Sequence, residues 1–228
     1  MRDVFVTTSN FKRFLELAKE LESPAGQGLA MAAVVGRAGR GKTTAAQRLA
    51  SVNSAIYCRF CDWWTPTGLL REVAFLLGGI RPRATQRCFE VIQEELARER
   101  RLIMVDEADR LSLRHLNTLR DLHDVCGVPV MLIGEEPLLS RLSQERRLKS
   151  RVRTVLKFEP VAPADVAIFY REALGLVLSG PQAQELAKHA EGDFRLVVKD
   201  ALAIERIMRA SGLKGPEVPA KVLKEVCK

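Results

Sequence analysis

The stretch Gly36-Arg37-Ala38-Gly39-Arg40-Gly41-Lys42-Thr43 decides the fold. It is a complete G-x-x-x-x-G-K-T pattern between an apolar, strand-like run, Met31 to Val35, and a helix-like run, Thr44 to Ala50. In that setting the glycines let backbone N–H groups curl around a triphosphate. Lys42 reaches the β- and γ-phosphates, and the Thr43 hydroxyl can hold Mg²⁺ at the positive end of the following helix. The stretch therefore predicts a site for ATP or GTP with Mg²⁺. Gly36, Gly39, Gly41, Lys42, Thr43 and the adjacent Thr44 are its expected nucleotide contacts.

Working outward, Phe11, Phe14, Leu15, Ala18 and Leu21 recur at helical spacing behind the cap-like Thr7 to Asn10, and Pro24 to Gly28 breaks that helix. Downstream, a strand is expected near 54–60 and a helix from Pro66 to Gly78-Gly79. Helix 85–99, the strand Leu102 to Val105, helix 112–126, the buried strand Val128 to Ile133 and a last strand at Val155 to Phe158 follow. Strands alternating with helices of this length predict a parallel sheet covered on both faces. From Pro163 onward only helical spacing remains: Val166, Phe169 and Ala173, then Leu186 and Ala190, then Phe194 to Met208, then Val222 and Val226. The expected organisation is an α/β core with an opening helix over 1–159 and a small all-α domain over 160–228.

With 228 residues, 47% of them hydrophobic, the chain can bury a full core. Seven charges in the first twenty residues argue against a signal peptide, and the longest uncharged apolar stretch, Gly28 to Gly36, falls well short of a membrane span. Five cysteines, an odd number, suit a reducing compartment, so a cytoplasmic protein without a membrane partner is expected. The lone C-x-x-C of Cys58 and Cys61 reads as core thiols, Trp63 and Trp64 as packing residues, and His115, His123 and His189 as surface or interface residues. The formal charge is +8, which suggests a polyanionic partner. Residues 1–159 carry 26 basic and 19 acidic side chains, residues 160–228 ten and nine. The run from Arg141 to Lys157 holds seven basic residues against Glu145.

The strand ending at Val105 delivers Asp106 and Glu107 to the sheet edge where ligands sit in open α/β folds. Asp106 is placed to orient the Mg²⁺ shell. Glu107 is placed to act as general base or orienter for a water attacking the γ-phosphate, because phosphoryl transfer needs positioning and charge stabilisation above all.

These motifs, with the helical C-terminal part, resemble the AAA+ family of ATPases from about Phe5 to about Ala210. Gly36 to Thr43 match its Walker A loop and Leu102 to Glu107 its Walker B strand. Gly192-Asp193-Phe194-Arg195 looks like sensor 2, which implies that Arg195 touches the nucleotide phosphates. Lys149-Ser150-Arg151 looks like the arginine-finger element, which implies that Arg151 acts on the ATP of a neighbouring subunit in a homo-oligomer, a ring or a helical filament. The sequence departs from the family at sensor 1, where a neutral polar residue is usual and Glu135 stands. A carboxylate near the γ-phosphate is repelled unless protonated or turned away, so either Glu135 faces elsewhere or hydrolysis is slow.

Within the family, Thr7 to Phe11, Trp63-Trp64-Thr65-Pro66 and Ile133-Gly134-Glu135-Glu136-Pro137 are similar to ATPases of transposon target selection. That resemblance implies double-stranded DNA and a transposase as partners, with Arg81, Arg83, Arg87, Arg110 and Arg114 on loops facing DNA. A replication initiator or helicase loader, and a nucleotide-gated signalling or scaffold module with negligible hydrolysis, are the alternatives. A P-loop kinase fits least, because nothing marks an acceptor site.

Overall fold

A computed structural model describes residues 2, 4–23, 31–213 and 215–227. The break expected at Pro24 to Gly28 lies outside the described residues. The chain divides into two compact units. One comprises Arg13–Arg37 and Lys42–Phe158, the other residues 1–12, Ala38–Gly41 and 159–228.

The larger unit is built on five parallel strands: β1 (Met31–Val35), β2 (Ile56–Arg59), β3 (Ile103–Asp106), β4 (Val130–Gly134) and β5 (Val152–Lys157), in the order β2-β3-β4-β1-β5. Every residue of β1, β3 and β4 is buried. β1 and β4 read as unbroken apolar runs, and β3 does so up to its last residue, Asp106, because helices cover both faces of a parallel sheet. The helices are most of α1 (Ser9–Glu22), then α2 (Lys42–Val52), α3 (Pro66–Gly78), α4 (Thr85–Arg98), α5 (Leu113–Cys126), α6 (Pro137–Gln144) and α7 (Arg146–Lys149).

Local chemistry fixes their ends. The Thr65 hydroxyl accepts from the Gly68 N–H, Pro66 opens α3, and Gly79 at φ 72° closes it. Two short helices, α6 and α7, appear where no helix is expected; each contributes few buried side chains, Leu138 and Leu142 from α6 and Leu148 from α7. β5 begins three residues earlier than its apolar run. It lies at the sheet edge with Arg153, Val155 and Lys157 exposed, so no continuous hydrophobic stretch marks its start.

The smaller unit holds α8 (Pro163–Leu174), α9 (Gly180–His189), α10 (Phe194–Ala210) and α11 (Ala220–Val226) around Val166, Phe169, Tyr170, Leu186, Val197, Ile204 and Val222. The chain's opening is tied into it: Ser9 donates from its N–H and hydroxyl to Asp165, and Asn10 exchanges two hydrogen bonds with the Glu159 backbone.

Three single-residue expectations are corrected. His115 is buried, with Nδ1 paired to the Ser112 hydroxyl at 2.7 Å and Nε2 to the Trp64 carbonyl at 3.0 Å, because α5 packs beneath the loop after β2. Trp64 packs edge-on against Phe60, whereas Trp63 is 80% exposed. Cys58 is a core thiol, pushed up to about 12 by burial, but Cys61 is only half-buried because it lies past the end of β2.

Candidate nucleotide site

At the C-terminal edge of the sheet, three strands of the larger unit release their chains side by side. The register pairs Val35 of β1 with Gly134 of β4, and Val105 of β3 with Leu132 of β4. Gly36, Asp106 and Glu135 are therefore brought to one edge by hydrogen-bonded pairing, although a hundred residues of chain separate the first from the last. Lys42 is 9% exposed and its ammonium donates to the carbonyls of Gly36 at 2.6 Å and Arg37 at 3.1 Å, so the loop is already closed around the charge. Burial pushes the Lys42 ammonium below the ordinary lysine range, and Glu135, Asp106, Asp109 and Glu107 oppose that shift, Glu135 most strongly.

Asp106 is 3% exposed and accepts three hydrogen bonds: from the Thr43 hydroxyl at 2.7 Å, the Tyr57 hydroxyl at 2.8 Å and the Glu107 N–H at 2.9 Å. All three donors are neutral. A buried carboxylate beside a threonine hydroxyl, with no directly bonded cation, fits the shell of a divalent ion. No group of three or more His, Cys, Asp or Glu side chains able to hold a metal exists among the described residues. Burial, reinforced by the Asp106 charge, pushes the Tyr57 phenol above its usual range and keeps it a donor.

Glu107 adopts φ 60°, ψ 34°, a left-handed conformation rare for a residue with a side chain. Such strain costs roughly 1–3 kcal/mol and collects at functional sites. Its carboxylate is met by the Arg59 guanidinium at 3.0 Å, because β2 and β3 pair Arg59 with Asp106 and leave Glu107 one residue beyond. Asp109 accepts from the Glu135 N–H at 2.9 Å, and a β-carbon on Gly134 would stand 2.5 Å from its oxygen, so glycine is needed for that approach. Tyr57, Arg59 and Asp109 carry no local signal in the sequence, because strand register alone brings them to Asp106, Glu107 and Glu135.

Within the smaller unit, the loop tip meets the start of α10. The Phe194 N–H donates to the Gly39 carbonyl at 2.8 Å, and the Asp193 carboxylate accepts from the Arg195 N–H at 2.7 Å. A β-carbon on Gly39, at φ 77°, would stand 2.0 Å from the Asp193 carboxyl carbon. Gly41 likewise has positive φ, Thr44 follows Thr43 in the first turn of α2, and Arg195 is exposed.

The remaining predicted residues are dispersed. Arg151 is held by Asp124 through bonds of 2.7 and 3.3 Å, which keep the Asp124 carboxyl below its usual range. Arg81 is paired with Glu72 and lies 3.4 Å over the Phe75 ring, Arg87 bridges Glu90 and Glu94, and Arg110 is paired with Asp62. Arg83 and Arg114 are exposed and make no ion pair among the described residues.

In the larger unit, a phosphate loop closed on its lysine and an acidic pair at the end of β3 mark a P-loop fold. A profile of the AAA domain family matches residues 27–142, just over half of the sequence, and the chain belongs to that family of AAA+ ATPases. It is 27% identical over 152 residues, 59% of this chain and 50% of the other, to the Mu-like prophage FluMu DNA transposition protein B of Haemophilus influenzae. It is 29% identical over 121 residues, 49% of this chain and 45% of the other, to a potential ATP-binding protein of Staphylococcus aureus. The chain thus spans about half the length of these curated relatives. Its fold is shared with Cdc6p from Pyrobaculum aerophilum, with a TM-score of 0.70 at 17% identity over 99% of this chain and 69% of that one. No helix among the described residues is long and apolar enough to cross a membrane.

Proposed function

We propose that the chain is an ATP-dependent, largely sequence-independent DNA-binding ATPase that oligomerises on double-stranded DNA and serves transposition by recruiting or activating a transposase. The observation that carries this reading is the Lys42, Thr43, Asp106 and Glu107 arrangement in a chain related to a DNA transposition protein. Lys42 exchanges the Gly36 and Arg37 carbonyls for the β- and γ-phosphates. Thr43 and Asp106 hold Mg²⁺, which neutralises phosphate charge when bound. Glu107, released from Arg59, orients the attacking water. Arg195 contacts phosphate, and Arg151, released from Asp124, completes the site of a neighbouring protomer. Gly36, Gly39, Gly41 and Thr44 supply the loop and the helix start that cradle the phosphates. Because nucleotide and the neighbour's arginine meet at one site, ATP binding and assembly are coupled.

One observation favours a variant of this reading. The Glu135 charge acts on Lys42 more strongly than that of any other carboxylate, and a γ-phosphate brought there meets like-charge repulsion. Turnover is then slow, and the ATP-bound, DNA-engaged state is long-lived. Capture assays separate the client classes: tagged protein with ATP should retain a transposase and not a replicative helicase. Retention of the helicase alone makes the chain a loader.

A further inference from the structure

Net charge conceals a feature of the smaller unit. Residues 160–228 carry ten basic and nine acidic side chains, yet one face of α10 carries basic residues alone. At 100° per residue, Val197, Ala201, Ile204 and Met208 form the buried stripe of this 17-residue helix. On the opposite side, Arg195, Lys199, Leu202, Arg206 and Arg209 recur at steps of four, three, four and three, and all five are exposed. No acidic residue stands within that ridge. Glu205 lies at its margin, paired with Arg209 at 3.6 Å, and Asp200 belongs to the buried side, where it pairs with His189. Lys199 and Arg206 make no ion pair among the described residues.

An ordinary solvated helix face gains from opposite charges three or four residues apart. Here Arg195 with Lys199, and Arg206 with Arg209, are like-charged pairs at those spacings, each costing about 0.2–0.5 kcal/mol. Two such pairs against the one opposite-charge pair of Glu205 with Arg209 leave the ridge without a net gain to its own helix. It runs for about 21 Å at 1.5 Å per residue. It offers cations along a line, as a polyphosphate strand offers anions, and Leu202 is the one side chain in it without charge.

We infer that the exposed ridge of α10, Lys199, Arg206 and Arg209, with Arg195 at its nucleotide end, is a contact surface for the phosphate backbone of duplex DNA. The inference rests on the proposed DNA-binding function and adds a second surface, on the helical unit, to the arginines of the α/β unit. Arginines and lysines on a helix face reach phosphate oxygens without reading bases, so binding through the ridge is indifferent to sequence. Each phosphate neutralised adds about 0.9 to the slope of log affinity against log salt.

The test uses the full chain and a Lys199→Ala/Arg206→Ala/Arg209→Ala variant, which spares Arg195 and the buried stripe. Fluorescence anisotropy on a 30-base-pair duplex with Mg²⁺ and ATP is recorded from 50 to 200 mM salt. The variant should lose affinity on every sequence and lower the salt slope by up to about 2.7. The fourfold rise in salt then costs the wild type up to about 40-fold more affinity than the variant. Its affinity for a fluorescent ATP analogue should match the wild type and its melting temperature should be no lower. Lys199→Glu/Arg206→Glu/Arg209→Glu should weaken binding further. Wild-type affinity and slope in the folded variant overturn the ridge and leave the proposed function standing. A wild-type chain that binds no DNA under any condition overturns both. Vesicles containing phosphatidylserine serve as the control: capture by the ridge of vesicles in place of DNA overturns the assignment to nucleic acid.

Discussion

Replacing Arg59 with alanine probes the only ion pair among the described residues that engages the proposed catalytic carboxylate. The Arg59 and Glu107 side chains are 60% and 30% exposed. A pair so open to solvent contributes about 0.2–1 kcal/mol. In a domain of this length 1 kcal/mol corresponds to about 2–4 °C in melting temperature, so Arg59→Ala should lower it by no more than that. The same energy bounds the functional effect. If Glu107 must leave Arg59 before it can orient water, deleting the arginine removes up to about 1 kcal/mol from the barrier, a rise in turnover of up to about fivefold. The left-handed backbone at Glu107 is untouched and its strain cancels in the comparison. Steady-state phosphate release, with ATP affinity measured in parallel, reads the effect. A double-mutant cycle with Glu107→Gln gives the coupling. A fall in turnover of tenfold or more at unchanged ATP affinity would refute the reasoning, because Arg59 would then assist the reaction and not restrain its base.

Lys42→Ala should abolish binding of a fluorescent ATP analogue, and wild-type affinity would remove the nucleotide assignment. Burial holds the Lys42 ammonium below the ordinary lysine range. A depressed lysine pKa means that the folded state binds fewer protons than the unfolded one, so stability from this group rises with pH while phosphate binding falls. Affinity measured from pH 7 to pH 10 should decline at lower pH than an unburied lysine allows. Glu107→Gln should retain ATP and DNA but stop turnover, and mixing it with Arg151→Ala protomers should restore part of the hydrolysis. Intact mixed oligomers without recovery would place the trans-acting arginine elsewhere, with Arg146, Arg147 and Arg153 next in the same basic segment. Asp124→Ala, which frees Arg151 from its ion pair, should raise turnover at low protein concentration, and unchanged kinetics would show that the pair restrains nothing.

The nucleotide motifs were legible because their chemistry is local. Met31 to Thr43 and Leu102 to Glu107 each carry a strand and the turn that ends it within a few residues. Arg59 and Tyr57 were not legible, because their partners, Glu107 and Asp106, lie nearly fifty residues away and are reached only through the register of β2 against β3. The short helices α6 and α7 escaped because two or one buried leucines are too few to establish a period. Trp63 and Trp64 were indistinguishable in composition; their separation into exposed and packed follows from the turn that joins Trp64 N–H to the Cys61 carbonyl and from His115 beneath it. The ridge on α10 was hidden by a regional charge of nearly zero, since a sum over residues discards the face each one occupies.

Nucleotide control of DNA binding is read from the affinity of the wild-type chain for a random-sequence duplex at fixed salt, without nucleotide, with ADP, and with ATP and Mg²⁺. Tight, sequence-independent binding with ATP, weak binding without it, and loss of the difference in Lys42→Ala are the expected results. Equal affinity in all three states, or no binding in any, would contradict the account.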